Sequence, residues 1–465
     1  MRAVVAVAAL AAVLGTPVAL TRRAPEGLAL GPHAADGTAT ASHRAVPTDQ
    51  IDVSNAARSQ AEVAVAADPR DSNVLLGGSG SFERANRVYS STDGGGTWSS
   101  EPLPLPRGLC SYGDPAVTID GTGRQFYAFL AGGCLDFDVR QVSLVLATRA
   151  GASSAWTARK PRVPGTSTFN DKEAIAVDTS STSPQAGRLY LAWSRFFRPS
   201  SAFEIVVSHS DDGGATWSRA ARVTGTGGVS QTYASVATGA DGAVYVAWLT
   251  LDQHVVFARS TDGGDHFERG VLVALAAQLP VGPCHFGGTG IPAQPKRCVA
   301  SAPLLTVDRV RGRVHVTWGA AGPGGREQNV YVSAFDAATL APVVQDVQVN
   351  PPDGAIVSDQ FLPASAVDES TGRLWACWYD TTGDRTRKRT RYTCSASSDD
   401  GATWAAPVPA ATTFSNLTVR AATSFEYGDY AGLAVANGIA HPMWTDSRRI
   451  ATSAEEIYTT ALQLP

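Results

Sequence analysis

An all-β domain built from one repeated unit is the fold class this sequence predicts, and three observations lead there. A short motif, Ser-x-Asp-x-Gly-x-Thr-Trp, recurs along the chain. A strand-turn-strand pattern recurs seven times. The composition, 45 Gly and 27 Pro among 465 residues with few apolar stripes at helical spacing, favours turns and short strands. With 44% hydrophobic and 17% charged residues the chain can bury a large core, and regular repeats let a single domain reach this length.

The motif stands complete at Ser91, Asp93, Gly95, Thr97 and Trp98, at Ser210, Asp212, Gly214, Thr216 and Trp217, and at Ser397, Asp399, Gly401, Thr403 and Trp404. A worn copy reads Ser260, Asp262, Gly264, His266 and Phe267. Its chemistry is that of a clip on a hairpin: Gly takes backbone angles other residues resist, Ser and Asp bond local amides, and the aromatic plugs the core. The copies at Asp212 and Asp262 lie one unit apart. The other intervals are close to two units each, so two units lack the clip.

The paired strands fall at 62–68 with 73–78, 115–120 with 125–130, 174–178 with 188–193, 234–238 with 243–248, 303–308 with 313–318, 363–368 with 373–378, and 430–436 with 438–444. Each of the first six is followed by a third and a fourth strand, as at 204–210 and 217–223. The seventh has a third, 456–462, and there the chain stops. Trp193, Trp248, Trp318, Trp378 and Trp444 recur at one place in the unit and read as core wedges.

These clips resemble the Asp-box, or BNR, repeats of sialidase-like β-propellers. The stretch opening at Glu62, Glu-Val-Ala-Val-Ala-Ala-Asp-Pro, is similar to the first blade of exported bacterial proteins of that type. The resemblance implies a β-propeller over residues 50–465, with the clips on the face opposite the site. The strand count gives seven blades, where the sialidase likeness alone implies six. Propellers remove exposed edges by borrowing a strand from the other terminus, and 50–55 is the expected donor to blade 7.

Ahead of the repeats, Arg2 and the apolar run 3–20 read as a secretory signal peptide, with an uncleaved N-terminal anchor as the alternative. Residues 21–49, rich in Ala, Pro, Gly and Thr without periodicity, read as a disordered linker. The six cysteines fall in local pairs, Cys110 with Cys134, Cys284 with Cys298 and Cys377 with Cys394, and predict three disulfides in a secreted or cell-envelope-anchored protein. A net charge of −4 gives no footprint for nucleic acid. No metal motif and no cofactor motif is present, and the chain is expected to be a monomer.

In a propeller the residues just ahead of each innermost strand crowd around the axis. Here they are Glu62, Asp114, Asp171 with Lys172 and Glu173, Gln231 with Tyr233, Asp359 with Gln360, and the run from Glu426 to Tyr430. Sialidases hold a substrate carboxylate with three arginines and use an Asp as acid/base and a Glu-activated Tyr as nucleophile. Tyr430 resembles that tyrosine in its place before an innermost strand, which implies Glu426 or Glu173 as its partner and Asp114 or Asp171 as the acid. Arg140, Arg195 and Arg448 are the candidate substrate-binding arginines; further loop arginines stand at 84, 87, 198, 326, 385–391 and 449. The Phe/Tyr-Arg-Ile-Pro motif that places the first sialidase arginine is absent. Two functions follow: a sialidase-like glycoside hydrolase, including an exo-α-sialidase, or a non-catalytic propeller that binds glycans or cell-surface partners.

Overall fold

The structure, a computed structural model, describes residues 50–464 except 57, 82, 135–141, 164–168, 197–202, 224–230, 280–288, 353, 355, 421–424 and 449–454. The signal-peptide and linker segments lie outside these residues, as do Cys284, Arg140, Arg198, Arg449 and the side chain of Gln231.

Seven four-stranded antiparallel sheets form a seven-bladed β-propeller. The innermost strands of blades 1 to 7 are Gln60–Asp68, Leu109–Ile119, Phe169–Val177, Gln231–Thr238, Leu304–Asp308, Gln360–Asp368 and Gly432–Ala436. Each packs against its neighbour, and the seventh packs against the first to close the ring. The seventh sheet completes itself with Ile51–Asp52, paired antiparallel to Glu456–Thr459, so the N-terminal strand supplies the outer edge that the C-terminus lacks. The six-bladed alternative is therefore excluded. The third strand of blade 7 is shorter than expected: the chain leaves the ladder after Thr459 and returns as a single bridge, Leu462 to Ala440.

The core lies between blades. Trp193, Trp318, Trp378 and Trp444 are fully buried in it. Cys377 and Cys394 sit directly opposite each other on neighbouring strands and are disulfide-bonded, as are Cys110 and Cys134.

Every clip joins a third strand to a fourth. In the first copy the Ser91 hydroxyl donates to Asp93 Oδ1 (2.8 Å) and accepts from Gly95 N (2.9 Å). Asp93 in turn accepts from Thr97 N (2.9 Å) and Thr97 Oγ1 (2.6 Å). The Thr97 hydroxyl, its amide and Ser91 together pull Asp93 down to about 2. In the worn copy the imidazole of His266 takes the place of the threonine hydroxyl, 2.8 Å from Asp262 Oδ2. The central glycines all require the left-handed backbone, with φ of 86°, 84°, 93° and 91° at Gly95, Gly214, Gly264 and Gly401.

Candidate functional site

The innermost strands do not run straight into the axis. Their pairing register skips at Glu62, Asp114, Lys172, Tyr233 and Leu362, in blades 1, 2, 3, 4 and 6. At each skip the backbone is left-handed, with φ of 61°, 51°, 52°, 58° and 47°. A bulge re-aims the side chain it carries, and holding a non-glycine residue in this region costs about 1–3 kcal/mol. One strained residue in each of these five blades, at one place in the repeat, re-aims the side chain it carries.

Blade 7 reaches the same place through its 425–430 turn, where Glu426 is left-handed (φ 51°). Gly428 lies so close to blade 1 that a Cβ there would sit 2.6 Å from Glu62 Cγ, which only glycine avoids. Blade 5 is served by the hairpin preceding it, Thr289–Ile291 with Gln294–Val299. That hairpin docks on the blade 7 turn: Gln294 donates to Gly428 O (2.9 Å) and accepts from Tyr427 N (3.1 Å). Glu426 accepts from the amides of Lys296 (3.1 Å) and Arg297 (3.2 Å).

The hairpin delivers Arg297 to the cluster. Its guanidinium grips Asp429 with two bonds, Nε to Oδ1 at 2.7 Å and Nη2 to Oδ2 at 2.6 Å, and reaches Glu62 Oε1 at 3.1 Å. Lys172 Nζ donates to Asp429 Oδ2 (2.6 Å) and Asp114 Oδ1 (3.3 Å). The Tyr430 hydroxyl donates to the same Asp114 oxygen at 3.1 Å. Lys172 also lies 5.5 Å from the Tyr430 ring centre and 5.6 Å from that of Tyr233.

Five acidic side chains, Glu62, Asp114, Asp171, Glu173 and Asp429, thus share two cations in a nearly dry space, so they cannot all ionise. Burial, then the neighbouring Asp114, pushes both Asp171 and Glu173 well above the carboxylate range. Burial raises Glu62 from 4.5 to about 7 against the pull of Lys172 and Arg297. Although burial opposes it, Arg297 and then Lys172 hold Asp429 well below its ordinary value. Burial and then Asp114 drive the Tyr430 phenol far up, with Glu62, Glu173 and Asp429 adding to the effect. Both carboxyl oxygens of Glu173 are buried without a hydrogen-bond partner.

The structure thus brings Tyr430, Asp114, Asp171 and Glu173 together. Glu426 bonds the hairpin backbone rather than Tyr430. Arg195 pairs with Glu204, which also holds Arg222. Arg448 is committed to Asp446 (2.6 Å) and lies over the Tyr458 ring. Among the described residues the cations in the cluster are Lys172 and Arg297. Arg297 escaped the sequence reading; its signal was the insertion between blades 4 and 5, which breaks the repeat length and carries a cysteine pair.

The raised Glu62 carries a pH dependence. A group whose folded pKa is raised contributes stability that is fully present below its unfolded value and lost as pH rises through the folded one. Glu62→Gln, which stays neutral, should therefore gain on the wild type between about pH 5 and 8, by on the order of 3 kcal/mol. Thermal unfolding of both proteins across that range checks this, and parallel curves would contradict it.

No family model matches the sequence, and no curated protein matches it. Among solved structures, an ulvan lyase of a polysaccharide lyase family aligns with a TM-score of 0.51 at 11% identity, covering 88% of this chain and 95% of that one. The same enzyme bound to a -[GlcA(1-4)Rha3S]- fragment aligns at 0.50, again with 11% identity, 88% and 95%. The NanB sialidase of Streptococcus pneumoniae aligns at 0.48 and 11% identity over 74% of this chain and 68% of its own. The structural neighbours thus include propeller sialidases and polysaccharide lyases, and at these identities the likeness is one of fold.

Proposed function

We propose that this chain is an exported, glycan-acting propeller whose chemistry runs at the axial cluster, on a sugar bearing an anionic group. The observation that carries the reading is Glu173: a buried acid whose carboxyl oxygens have no hydrogen-bond partner, whose charged form is disfavoured by burial and by Asp114, and which bears on a tyrosine that donates to Asp114. What sets Glu173 apart from the other partnerless buried groups is its place, beside Asp114, Asp171, Lys172 and Tyr430 at the axis.

In the glycoside-hydrolase form of the proposal, Tyr430 Oη attacks the anomeric carbon and passes its proton to Asp114. The bond to the leaving oxygen breaks, and that oxygen takes a proton from Glu173. Water then cleaves the tyrosyl-sugar bond as the transfers reverse. Lys172 and Arg297 supply the positive charge that attracts an anionic substituent. Sialosides are one such substrate, though a cluster with one arginine among the described residues does not reproduce the three-arginine grip of sialidases. Lys172 and Asp429 keep only 12% and 8% exposure, so little of the cluster is open to solvent. A polysaccharide lyase of the same fold bound to a GlcA-containing fragment is in keeping with that substrate class.

Tyr430→Phe should lower turnover on an aryl-glycoside and uronate-polysaccharide panel by roughly 10²-fold or more while leaving thermal unfolding intact. Turnover that survives in the variant would remove Tyr430 from the mechanism. A second reading, a non-catalytic glycan-binding propeller, draws on the close pairing of Asp429 with Lys172 and Arg297. It predicts glycan affinity without turnover in the wild type.

A further inference from the structure

Blade 6 carries a feature the axial chemistry does not use. Between its second and third strands, Arg373–Asp380 and Arg391–Ser397, the loop and the start of the third strand contain Arg385, Arg387, Lys388, Arg389 and Arg391. Five cations within seven positions are conspicuous in a chain whose net charge is −4. An ordinary solvated basic loop would be irregular, but this one is built. The buried Asp384 carboxylate accepts from Thr386 Oγ1 (2.8 Å), Lys388 N (3.1 Å) and Arg389 N (2.9 Å). Arg387 is spent on Asp359, with Nε 2.8 Å from Oδ2. Arg385, Lys388 and Arg389 are exposed, Arg389 while also reaching Asp384 Oδ1 at 3.5 Å. Arg389 and Arg391 both lie against the half-buried ring of Phe414, at 4.9 and 4.1 Å from its centre, and Arg391 Nε is buried without a hydrogen-bond partner.

The loop lies at the same end of the propeller as the axial cluster. Its flanking residue Asp380 pairs with Gln360 at the leading end of blade 6's innermost strand, beside the bulge at Leu362. It is also tied to the site itself: Thr390 Oγ1 donates to the Tyr427 hydroxyl at 3.0 Å, and Tyr427 stands in the same turn as Asp429 and Tyr430.

We propose that Arg385, Lys388 and Arg389, with Phe414, form a second binding surface, a subsite for the anionic groups of a polysaccharide whose end lies at the axial cluster. The inference rests on the glycan-acting reading above. Exposed guanidinium forks fit carboxylate and sulfate oxygens in pairs, and the half-buried Phe414 ring holds the Arg389 and Arg391 guanidinium groups against it. The location favours a glycan over a nucleic acid, because the patch is confined to one loop beside the site on an otherwise acidic chain.

The test is binding of polygalacturonate, dextran sulfate, neutral dextran and duplex DNA to the wild type and to the triple variant Arg385→Ser, Lys388→Ser, Arg389→Ser. The wild type should bind polygalacturonate or dextran sulfate, and which of them distinguishes carboxylate from sulfate recognition. The variant should lose roughly tenfold or more of that affinity, with unchanged Tm and unchanged turnover of a small aryl glycoside. Glu173→Gln should bind as the wild type does. Equal affinity in the triple variant, binding to neutral dextran as strong as to the charged polymers, or tighter binding to DNA than to either would overturn the subsite. Polysaccharide binding that the triple variant loses, in a wild type without turnover, would uphold the subsite and remove the catalytic reading instead.

Discussion

Asp429→Ala should destabilise the folded protein by about 3–5 kcal/mol, a downward shift of several degrees in Tm. Asp429 accepts both bonds from Arg297 and the shorter bond from Lys172, so its removal leaves two buried cations short of their counter-charge. Glu62 and Asp114 remain as the cations' other partners, each through one longer contact, Arg297 to Glu62 at 3.1 Å and Lys172 to Asp114 at 3.3 Å. Asp429→Asn, which keeps an acceptor oxygen, should fall between the alanine variant and the wild type. The sign of the acid response follows from the same pair. Because its pKa is depressed, Asp429 contributes stability that is present above its unfolded value and lost as pH falls. Calorimetry or denaturant titration checks the magnitude; a loss under 1 kcal/mol would mean the ion pairs do not hold the axis together.

Deleting residues 50–56 should have an effect of similar size by a different route. The segment gives blade 7 its outer strand, and beyond the strand Val53 N donates to Ile457 O (2.9 Å) while Ser54 Oγ accepts from Ile457 N (2.9 Å). Val53 is buried with Tyr89, Met443 and Ile457 where blades 7 and 1 meet. At about 1 kcal/mol per lost hydrogen bond and about 1.5 kcal/mol for the valine, the deletion costs on the order of 4–6 kcal/mol. It also bares a strand edge, so aggregation on heating should accompany the lower Tm. Unchanged unfolding after the deletion would contradict closure by the N-terminal strand.

The blades were legible because each one repeats a local pattern: an alternating strand, a turn, a second strand ending in an aromatic. The closing strand was legible because blade 7 comes up one strand short. The polar residues of the axis were legible for the same reason, since Glu62, Asp114, Lys172 and Tyr233 occupy one place in the repeat. Their left-handed backbones were not, because nothing about Glu, Asp, Lys or Tyr signals a bulge; the register of two strands imposes it. Arg297 was hidden by range. It meets Asp429 only because Gln294 and Glu426 dock the hairpin onto the blade 7 turn, and no sequence-local rule links those segments. The fate of Arg195 could have been read: Glu204 stands directly across the hairpin from it, and cross-strand pairs of opposite charge meet at that distance. Arg448 likewise follows Asp446 by two residues in the turn that leaves the strand.

The central claim, that the axial cluster is a catalytic site and not only a clasp, turns on Glu173. Glu173→Gln replaces a carboxyl whose neutral form burial and Asp114 favour, so stability should stay within about 1 kcal/mol of the wild type. Turnover on whichever glycan the wild type cleaves should nevertheless fall by roughly 10²-fold or more, because the amide cannot give up a proton. Measuring rate and Tm on the same preparation decides the matter. Lost turnover at unchanged Tm is the result this account predicts, and full turnover in Glu173→Gln is the result that would contradict it.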